Sequence, residues 1–427
     1  MAVKKVYVGL LGFGNIGSSV YKVLTEGMSA ITHKENLEIV VKKILEKDIE
    51  KARKIVDEKL LTDDFSRILD DDDISVVAEF IGGTQPALDY ALALLKKGKS
   101  FVTANKELLA THWHRLDKAA RESGAGLYYE ASVAGGIPVI KTINESLQAN
   151  NITNIYGIIN GTTNHILTDM SEKGRSFPEA LSDAQKLGLA EPDPSYDIDG
   201  LDAVYKLSIL ASLAFHAKVP VGRIFHEGIR TVTTEDIANA AELGYVIKLL
   251  AIGKKNGASI EARVHPTMIP QSHPLASVKG AFNAIFIKGD PVGDLMLYGR
   301  GAGGPPTASA VVSDIITACQ AQKHRYTTFY NDDEPSKEVT FVSDWETEYY
   351  IRLSAANQPG VLAKISGVFG KFGVNLASVK QRRPNGGSAP VIFVTYMAHE
   401  HAMMAAIAEI SKLPEVAKVD NVIRIEN

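Results

Sequence analysis

The sequence predicts an α/β protein with a doubly wound N-terminal domain, an α+β middle domain and a C-terminal module of order βαββαβ. Two observations carry this prediction. Apolar strand patterns alternate with helical patterns over residues 6–131, and such alternation is typical of a parallel sheet with helices on both faces. After a polar, acidic stretch at 331–347, a fresh pattern of four strands and two helices begins, which is the order of a ferredoxin-like fold.

In the N-terminal domain, buried strands and helices follow each other at short intervals. The strands are predicted at 6–11, 37–45, 74–81, 101–103 and 127–131, and the helices at 16–26, 48–59, 86–97 and 106–123. Pro86 suits the first turn of its helix, and Gly98 ends that helix. We place this domain at 1–132 and expect an apolar helix within 307–330 to return to it.

The middle segment, 133–306, alternates less regularly, which is typical of an α+β domain. Its helices are predicted at 137–148, 163–173, 177–187 and 201–215, and its strands at 152–160, 260–266 and 281–288. Residues 331–347 form a predicted linker, and 348–427 form the C-terminal module. In that module, strands are predicted at 349–355, 374–381, 390–397 and 416–425, and helices at 360–372 and 400–412.

Composition excludes several classes of protein. The chain has 427 residues, with 46 Lys and Arg against 50 Asp and Glu, a net charge of −4. Without a basic excess, we expect neither nucleic acid nor a membrane as partner. The single cysteine, Cys319, excludes an internal disulfide and a cysteine metal cluster. No apolar stretch reaches the about 18–20 residues of a membrane span, so we expect a cytoplasmic protein.

Residues 12–17 read G-F-G-N-I-G, directly after a predicted strand and at the start of a helix. Gly12 allows a tight turn, Gly14 lets a pyrophosphate approach the backbone, and Gly17 lets helix and strand pack closely. The helix N-terminus then offers N–H groups to the phosphates. This pattern predicts a Rossmann-type dinucleotide-binding domain that uses NAD or NADP.

The end of the second strand decides between the two cofactors. An acidic residue there holds the ribose 2′-hydroxyl of NAD, whereas basic residues suit the 2′-phosphate of NADP. Residues 41–48 read V-K-K-I-L-E-K-D and contain both kinds. A solvated charged turn also explains most of them, so the sequence favours NADP only slightly.

A loop with four carboxylates, bounded by proline and glycine, precedes the helix predicted at 201–215, and a fifth carboxylate, Asp202, is the second residue of that helix. On that helix Asp202 and Lys206 are four residues apart and therefore share one face. A lysine beside a carboxylate in a cleft can pass a proton to a carbonyl oxygen, which is general acid–base chemistry. The alternative is structural: Asp199 caps the helix, Asp202 supports the cap, and Asp202 with Lys206 forms a surface ion pair.

Residues 184–206 also resemble a known family. They match the homoserine dehydrogenase signature A-x(3)-G-[apolar]-[small]-x(2)-D-P-x(2)-D-[apolar]-x-G-x-D-x(3)-K without a gap. The resemblance extends to 12–17, 103–106, 130–138, 160–164 and 299–304, and covers essentially all of 1–330. It implies an enzyme of threonine and methionine biosynthesis that interconverts L-homoserine and L-aspartate 4-semialdehyde with NAD or NADP.

The resemblance implies a role for individual residues. Lys206 matches the proton donor of the family, and Lys106 matches a second active-site lysine near the substrate and the nicotinamide. Glu191 and Asp202 match residues that hold the amino group and the hydroxyl side of the substrate. The cofactor-binding positions carried over are Gly12, Phe13, Gly14, Asn15, Ile16, Gly17, Thr84, Lys106, Gly188 and Gly303. The positions of a monovalent cation site, suited to sodium, are Glu130, Val133, Gly135 and Ile137.

The C-terminal module resembles the ACT regulatory domain. Residues 357–362 read N-Q-P-G-V-L between a predicted strand and a predicted helix. The helix N-terminus suits the carboxylate of a small amino acid, Asn357 can add a side-chain contact, and Gly360 allows close approach. In this family such a domain implies feedback control by threonine. The alternative is a purely structural dimerisation module, and we expect a homodimer or homotetramer.

Two other functions compete with homoserine dehydrogenase. One is a different amino-acid or semialdehyde dehydrogenase; an aspartate-semialdehyde dehydrogenase needs a nucleophilic cysteine, for which Cys319 lacks a suitable setting. The other is a non-catalytic protein that senses nucleotides and amino acids, against which the intact Glu191, Asp202 and Lys206 count. Because the chain begins at its nucleotide-binding strand, we expect no aspartokinase fused upstream.

Overall fold

The computed structural model describes residues 3–321, 324, 326, 327, 329, 339–383 and 388–427. The chain folds into two compact units. The first consists of Met1–Ile159, Ala203–Ile224 and Phe282–Val339, and the second of Asn160–Asp202, Phe225–Ala281 and Thr340–Asn427. The division into three consecutive domains stays a prediction.

The first part of unit 1 alternates strands and helices. Its elements are β1 (Lys4–Leu11), α1 (Asn15–Glu26), α2 (Met28–Glu35), β2 (Leu37–Leu45), α3 (Ile49–Ala52), β3 (Leu61–Thr62), α4 (Ser66–Leu69), β4 (Ile74–Glu79), α5 (Ala87–Lys96), β5 (Ser100–Thr103), α6 (Lys106–Ser123) and β6 (Leu127–Tyr128). The six strands form one parallel sheet in the order β3-β2-β1-β4-β5-β6. The predicted doubly wound fold is confirmed, with its topological switch point between β1 and β4, where such sheets bind ligands.

The rest of the chain begins with α7 (Val139–Lys141), a π-helical segment (Thr142–Ser146) and β7 (Asn151–Ile158). Then follow α8 (Gly161–Lys173), α9 (Phe177–Lys186), α10 (Ser195–Ile198), α11 (Leu201–Phe215), β8 (Phe225–His226), α12 (Thr234–Glu242), β9 (Tyr245–Asn256), β10 (Ser259–Pro270), β11 (Phe282–Asp290), β12 (Gly293–Arg300) and α13 (Gly304–Gln320). The C-terminal part contains β13 (Thr340–Phe341), β14 (Glu346–Ala356), α14 (Val361–Lys371), β15 (Leu376–Gln381), β16 (Ser388–Thr395), β17 (Ala398–His399), α15 (Glu400–Ile410) and β18 (Val416–Ile425).

The core of the nucleotide-binding sheet includes a helix from far along the chain. Val8 and Leu10 of β1 are fully buried, as are Val311 and Ile315 of α13, and all belong to one apolar cluster. α13 therefore returns to the N-terminal sheet, as its apolar sequence predicts. Cys319, near the end of this helix, is packed in the same cluster.

In unit 2 the C-terminal module shares a sheet with the middle segment. Antiparallel pairs join β9 to β10, β18 to β14, β14 to β16 and β16 to β15. α14 and α15 pack on the module strands, which confirms the ferredoxin-like fold. β18 also pairs with β10 in parallel, Thr267 opposite Arg424 and Met268 opposite Ile425.

Several predicted elements differ from the structure. Of the helix predicted at 48–59, only α3 and a 3₁₀ turn (Glu58–Leu60) form, because this charged segment has few apolar residues to bury. The helix predicted at 137–148 is interrupted by its π-helical segment. The strand predicted at 127–131 ends at Tyr128, and the chain continues in a 3₁₀ turn (Glu130–Ser132).

Ten elements of the described residues were not predicted from the sequence. The longer ones are α2, α12, β9 and β12, and the short ones are β3, α4, α10, β8, β13 and β17. Residues 331–338 of the predicted linker lie outside the described residues. The end of that linker is structured, since β13 pairs with β10 and β14 begins at Glu346. Among the residues that the structure describes, no helix combines the length and the apolar character needed to cross a bilayer.

Candidate active site

The glycine-rich turn in unit 1 connects β1 to α1. The Gly12 N–H donates to Leu45 O at 2.8 Å. A Cβ atom at Gly17 would lie 2.3 Å from Gly12 O, whereas one at Gly14, the N-cap of α1, would meet no atom within 4 Å. Close packing at Gly17 and open space at Gly14 fit a pyrophosphate at this helix N-terminus.

Glu46 is the first residue after β2, where the cofactor ribose would bind. Its carboxylate accepts hydrogen bonds from Phe13 N at 2.6 Å and Asp48 N at 3.0 Å. The next residue, Lys47, is exposed. The strand end thus presents a fixed carboxylate beside a solvent-facing lysine.

A buried carboxylate and its partners connect the ends of β4 and β5. Glu79, at the end of β4, accepts from Thr103 Oγ1 at 2.6 Å. Asn105 caps α6, because its Oδ1 accepts from Leu108 N at 3.0 Å. Lys106, half-buried, is the first residue of that helix. Thr84, also half-buried, lies in the loop after β4.

The N-terminus of α13 lies against that of α1. Gly303 is the N-cap of α13. A Cβ atom at the next residue, Gly304, would be 2.3 Å from Ser19 Oγ and 2.8 Å from Asn15 Oδ1. The structure therefore places the start of α13, which Gly303 caps, beside Asn15, and both residues are predicted cofactor-binding positions.

The predicted cation-site residues follow β6. The Glu130 carboxylate is 2% exposed and accepts from Ile140 N and Lys141 N, each at 2.8 Å. Burial and the nearby Asp314 raise the pKa of Glu130 to about 7. Val133, which ends the 3₁₀ turn, is fully buried.

Two further cation-site residues shape the turn that follows. A Cβ atom at Gly135 would lie 2.6 Å from Gly301 O, so a larger residue would displace the 299–304 loop. Ile137 O accepts from Val139 N at 2.8 Å.

Lys206 lies on α11 and is half-buried. Its Nζ donates to Ile159 O at 2.8 Å. Asp202, one turn earlier on the same helix, is 4% exposed.

In unit 2, Asn160 links two carboxylates of the predicted substrate loop. Its Nδ2 donates to Asp202 Oδ2 at 2.9 Å and to Asp197 Oδ1 at 2.7 Å. Its Oδ1 accepts from Thr163 N at 2.8 Å and so caps α8. Thr162 Oγ1 lies 3.1 Å from the second oxygen of Asp197. Asp202 is therefore part of a buried polar cluster, which argues against the surface ion pair considered above.

The remaining predicted site residues lie in exposed turns of unit 2. Gly188 and Glu191 follow α9 and are both exposed, and the backbone carbonyl of Glu191 accepts from Gln185 Nε2 at 3.1 Å. Asn357 and Gly360 lie in the loop between β14 and α14, where Gly360 is the N-cap. Asn357 Oδ1 accepts from Gln381 Nε2 at 3.1 Å.

Models of known protein families match three stretches of the chain. The model of homoserine dehydrogenase matches residues 138–316, and that of the homoserine dehydrogenase NAD binding domain matches 12–130. The ACT domain matches 349–415. The chain belongs to the homoserine dehydrogenase family.

Relatives of known name agree over the full length. A homoserine dehydrogenase of Corynebacterium glutamicum is 39% identical over 426 residues, covering 99% of this chain and 96% of the relative. The crystal structure of a homoserine dehydrogenase from Thiobacillus denitrificans has a TM-score of 0.93 at 38% identity and covers 100% of this chain and 99% of that chain. A hyperthermophilic archaeal homoserine dehydrogenase in complex with NADPH has a TM-score of 0.63 at 28% identity, covering 75% of this chain and all of that chain.

These findings confirm the predicted family, fold class and activity. The chain is an oxidoreductase of amino-acid biosynthesis that interconverts L-homoserine and L-aspartate 4-semialdehyde and binds a nicotinamide cofactor. The alternative functions, a non-catalytic sensor and a different dehydrogenase, are thereby set aside.

Sequence reasoning did not assign site roles to several residues near the predicted site. Asn160 donates to Asp202 and to Asp197, and Asn105 caps the helix that begins at Lys106. Glu79 accepts from Thr103 at the neighbouring strand end. None of Glu79, Asn105, Asn160 and Asp197 was singled out. A signal existed for Glu79, because a charged residue ends an otherwise apolar strand. For Asn160 the signal was an asparagine directly before a helix, a common N-cap.

Proposed function

We propose that Lys206 protonates the substrate oxygen when L-aspartate 4-semialdehyde is reduced. The observation that carries this proposal is the half-buried Lys206 ammonium, held by Ile159 O at 2.8 Å, four residues beyond Asp202 on α11. A carbonyl only accepts hydrogen bonds, so it orients the Lys206 side chain through one of its N–H groups. A lysine oriented in this way can act as a general acid.

In the reductive direction the aldehyde carbon gains a hydride and the aldehyde oxygen gains a proton. The bound nicotinamide supplies the hydride. Lys206 transfers its proton, directly or through one water, to the oxygen as negative charge develops there, and solvent then reprotonates the amine. In homoserine oxidation the Lys206 amine accepts the hydroxyl proton instead.

Three further residues are proposed to bind the substrate. Glu191 pairs with the substrate amino group through charge-assisted hydrogen bonds. Asp202 and Lys106 hold its hydroxyl side. The hydrogen bond from Asn160 supports this role for Asp202, because it fixes the carboxylate, and the Asn105 cap fixes the start of the helix that carries Lys106.

Replacement of Lys206 tests the proposal. Lys206→Ala is expected to lower kcat by roughly 10²- to 10⁴-fold, the usual contribution of general acid–base catalysis. Dinucleotide affinity, measured by nicotinamide fluorescence, is expected to stay at the parent value. The control is Lys22→Ala on α1, whose side chain is 69% exposed. A kcat of Lys206→Ala equal to that of the parent would refute the assignment of Lys206 as the proton donor.

NADP is the proposed preferred cofactor. The exposed Lys47 beside the ribose position supports it, as does the archaeal relative in complex with NADPH. Glu46 favours NAD, but two backbone N–H groups already hold its carboxylate. A lower KM for NADPH than for NADH, with the difference reduced in Lys47→Ala, is the expected result, and a lower KM for NADH would contradict it.

A monovalent cation site, with sodium as the ion, is proposed at Glu130, Val133, Gly135 and Ile137. These residues offer backbone carbonyl and carboxylate oxygens, the ligands that hard cations prefer. The Ile137 carbonyl has a second lone pair beyond the one that Val139 N uses. We expect a higher Tm in sodium chloride than in choline chloride at equal ionic strength, and equal values would argue against the site.

Threonine is proposed to regulate the enzyme through the ACT domain at Asn357 and Gly360. Support comes from the N-terminus of α14 beside Gly360 and from the pairing of β18 with β10, which joins this domain to the middle segment. Inhibition by threonine in the parent, weakened in the full-length variant Asn357→Ala, is expected. Equal inhibition by threonine in the parent and in Asn357→Ala would indicate that the module has only a structural role.

A cytoplasmic homodimer or homotetramer is the proposed assembly. Its support is the edge strand β15, which is exposed along most of its length with Val379 at 44%. Exposed strand edges can pair with another chain. Light scattering coupled to size exclusion gives the mass, and a monomer at micromolar concentration would contradict the assembly.

A further inference from the structure

Glu79 is a fully buried carboxylate that the mechanism above does not use. It ends β4 and lies in register between Leu11 of β1 and Thr103 of β5. This is the carboxyl edge of the parallel sheet, next to the switch point where doubly wound folds bind their ligands. A buried charge is costly unless it is hydrogen-bonded, so its partners show what it holds in place.

The partners of Glu79 come from the loop after β4 and from the end of β5. Oε1 accepts from Ile81 N at 2.6 Å and from Gly82 N at 3.2 Å. Oε2 accepts from Thr103 Oγ1 at 2.6 Å. Thr103 Oγ1 also accepts from Asn105 N at 2.9 Å, so the Thr103 hydroxyl joins Glu79 to the backbone of Asn105.

Asn105 extends this chain of hydrogen bonds to the loop after β4 and to the start of α6. Its Nδ2 donates to Gly83 O at 2.6 Å, and its Oδ1 caps the helix that begins at Lys106. The loop at 81–84, which contains Thr84, is thereby connected to the start of α6 in two ways. Ile81 and Gly82 are connected through Glu79 and Thr103, and Gly83 is bound directly by Asn105. Glu79 and Thr103 are fully buried, and Asn105 is 8% exposed.

We propose that Glu79 is a positioning residue which, through Thr103 and Asn105, holds the 81–84 loop and Lys106 in one geometry for the nicotinamide cofactor. The part of the inference that concerns Lys106 rests on the proposed function. The part that concerns the cofactor rests on the loop alone. Substitutions that break the chain of hydrogen bonds then act on binding and turnover more than on folding.

A buried polar cluster at the opposite end of the same strands provides a matched control. Lys99, 6% exposed and just before β5, donates from Nζ to Asp71 O at 2.6 Å and to Ile74 O at 2.7 Å. These bonds join the amino ends of β4 and β5. Lys99→Met therefore removes buried hydrogen bonds from the same strand pair without touching the loops at the carboxyl edge.

The decisive comparison is between two substitutions of Thr103. Thr103→Val keeps the shape but removes the hydroxyl, whereas Thr103→Ser keeps the hydroxyl. We expect Thr103→Val to lower kcat roughly 10- to 100-fold, the scale of a small misplacement of reacting groups, and to weaken NADPH binding in fluorescence titrations. Thr103→Ser is expected to keep both near the parent values, and Lys99→Met to lower Tm with kcat retained.

A double-mutant cycle adds a second test. Glu79→Gln replaces an acceptor with an amide N–H₂, so it breaks the chain at the same link as Thr103→Val. The double variant is therefore expected to be no worse than the more affected single variant. Equal kcat and equal NADPH affinity in Thr103→Val and Thr103→Ser would overturn the proposal, even if Glu79→Gln does not fold. If Lys106→Ala keeps the parent kcat, the role of Lys106 fails, while NADPH affinity still decides the role of Glu79.

Discussion

In the nucleotide-binding turn, Gly17 is expected to be needed for both folding and binding, whereas Gly14 is expected to be needed for binding only. A Cβ atom at Gly17 would lie 2.3 Å from Gly12 O, a backbone atom that cannot move cheaply. Gly17→Ala is therefore expected to cost roughly 1–3 kcal/mol of stability, as overpacking does, and also to weaken dinucleotide binding. Gly14→Ala meets no protein atom, so it should keep the parent Tm and lose affinity only. Thermal unfolding and fluorescence titration of both variants check this, and a matching loss of Tm in Gly14→Ala would contradict it.

A buried lysine gives the protein a predictable pH dependence of stability. Lys248 of β9 is 5% exposed, and burial lowers its pKa from 10.5 to about 8. The unfolded chain keeps the proton up to about pH 10.5, whereas the folded chain releases it near pH 8. Between these values the unfolded state binds more protons, so the contribution of Lys248 to stability rises with pH.

Lys248→Met removes this titration. The free energy of unfolding of the variant minus that of the parent is expected to fall by up to about 3 kcal/mol between about pH 8 and about pH 10. Urea unfolding at several pH values measures the difference. A difference independent of pH would show that Lys248 titrates normally in the folded protein.

The sequence predicts local site motifs better than it predicts contacts between distant residues. The turn at 12–17 and the stretch at 184–206 are continuous, and their residue types and spacing alone indicate their chemistry. Glu79 and Thr103 are 24 residues apart and meet only because β4 and β5 are neighbours in the sheet. Pairing of that kind depends on strand order, which one sequence does not specify.

At the scale of elements, the difference between local patterns and contacts between distant residues explains which segments were predicted. Strands such as β1, β2 and β4 are continuous apolar runs and are buried as such. α12 was missed although Thr233 and Asp236 form a capping box, a recognisable start signal. What stabilises α12 lies elsewhere in the chain, since Asp236 also binds Arg352 and Asn421 of the ACT domain.

Asp236 is therefore expected to contribute more to the stability of the fold than an ordinary helix cap does. It is fully buried and lies 2.7 Å from Arg352 Nε. Burial raises the pKa of Asp236, but hydrogen bonds from Arg352, Asn421 and Thr233 outweigh this effect, so its pKa lies below the usual value. Its stabilising effect is present above pH 3.8 and is lost as the pH falls through its folded pKa.

Asp236→Ala is expected to lower the free energy of unfolding by roughly 3–5 kcal/mol, because it removes the fully buried carboxylate partner of Arg352 and leaves only the more exposed Glu235 and Asp420 to pair with it. The matched control is Glu179→Ala in the exposed capping box of α9, where Glu179 accepts from Ser176 N at 2.8 Å. That change is expected to cost about 1 kcal/mol. Urea unfolding at neutral pH compares the two, and equal losses would mean that the buried ion pair adds nothing beyond the cap.

At the scale of the whole chain, the ACT domain is continuous with the middle segment. β18 pairs with β14 inside the domain and with β10 outside it. A truncation before Trp345 would remove β18 and expose the edge of β10, and it would also leave Asp236 and Glu227 without their arginines. Loss of regulation in such a fragment would therefore be indistinguishable from damage to the fold, so full-length variants are the appropriate test.

A short segment connects β18 of the ACT domain to the proposed substrate loop. Arg424 of β18 donates to Glu227 at 2.8 Å. Two residues further on, Ile229 N donates to Ile198 O at 2.9 Å. A Cβ atom at Gly228 would lie 2.2 Å from that same oxygen. Ile198 lies four residues before Asp202, a proposed substrate-binding residue, so a shift of β18 would reach Asp202 through one short segment.

Glu227→Gln is expected to weaken this coupling while leaving basal turnover intact, because Glu227 is partly exposed and lies outside the proposed catalytic residues. Coupling energies carried by single residues between sites are about 0.5–2 kcal/mol, so the threonine concentration for half inhibition should rise roughly 2- to 30-fold. Lys364→Gln, which breaks the ion pair of Lys364 with Glu415 inside the ACT domain, is the control and should leave that concentration unchanged.

If Glu227→Gln responds to threonine as the parent does, the coupling does not pass through Arg424. If the parent itself does not respond to threonine, the regulatory proposal fails before this test applies.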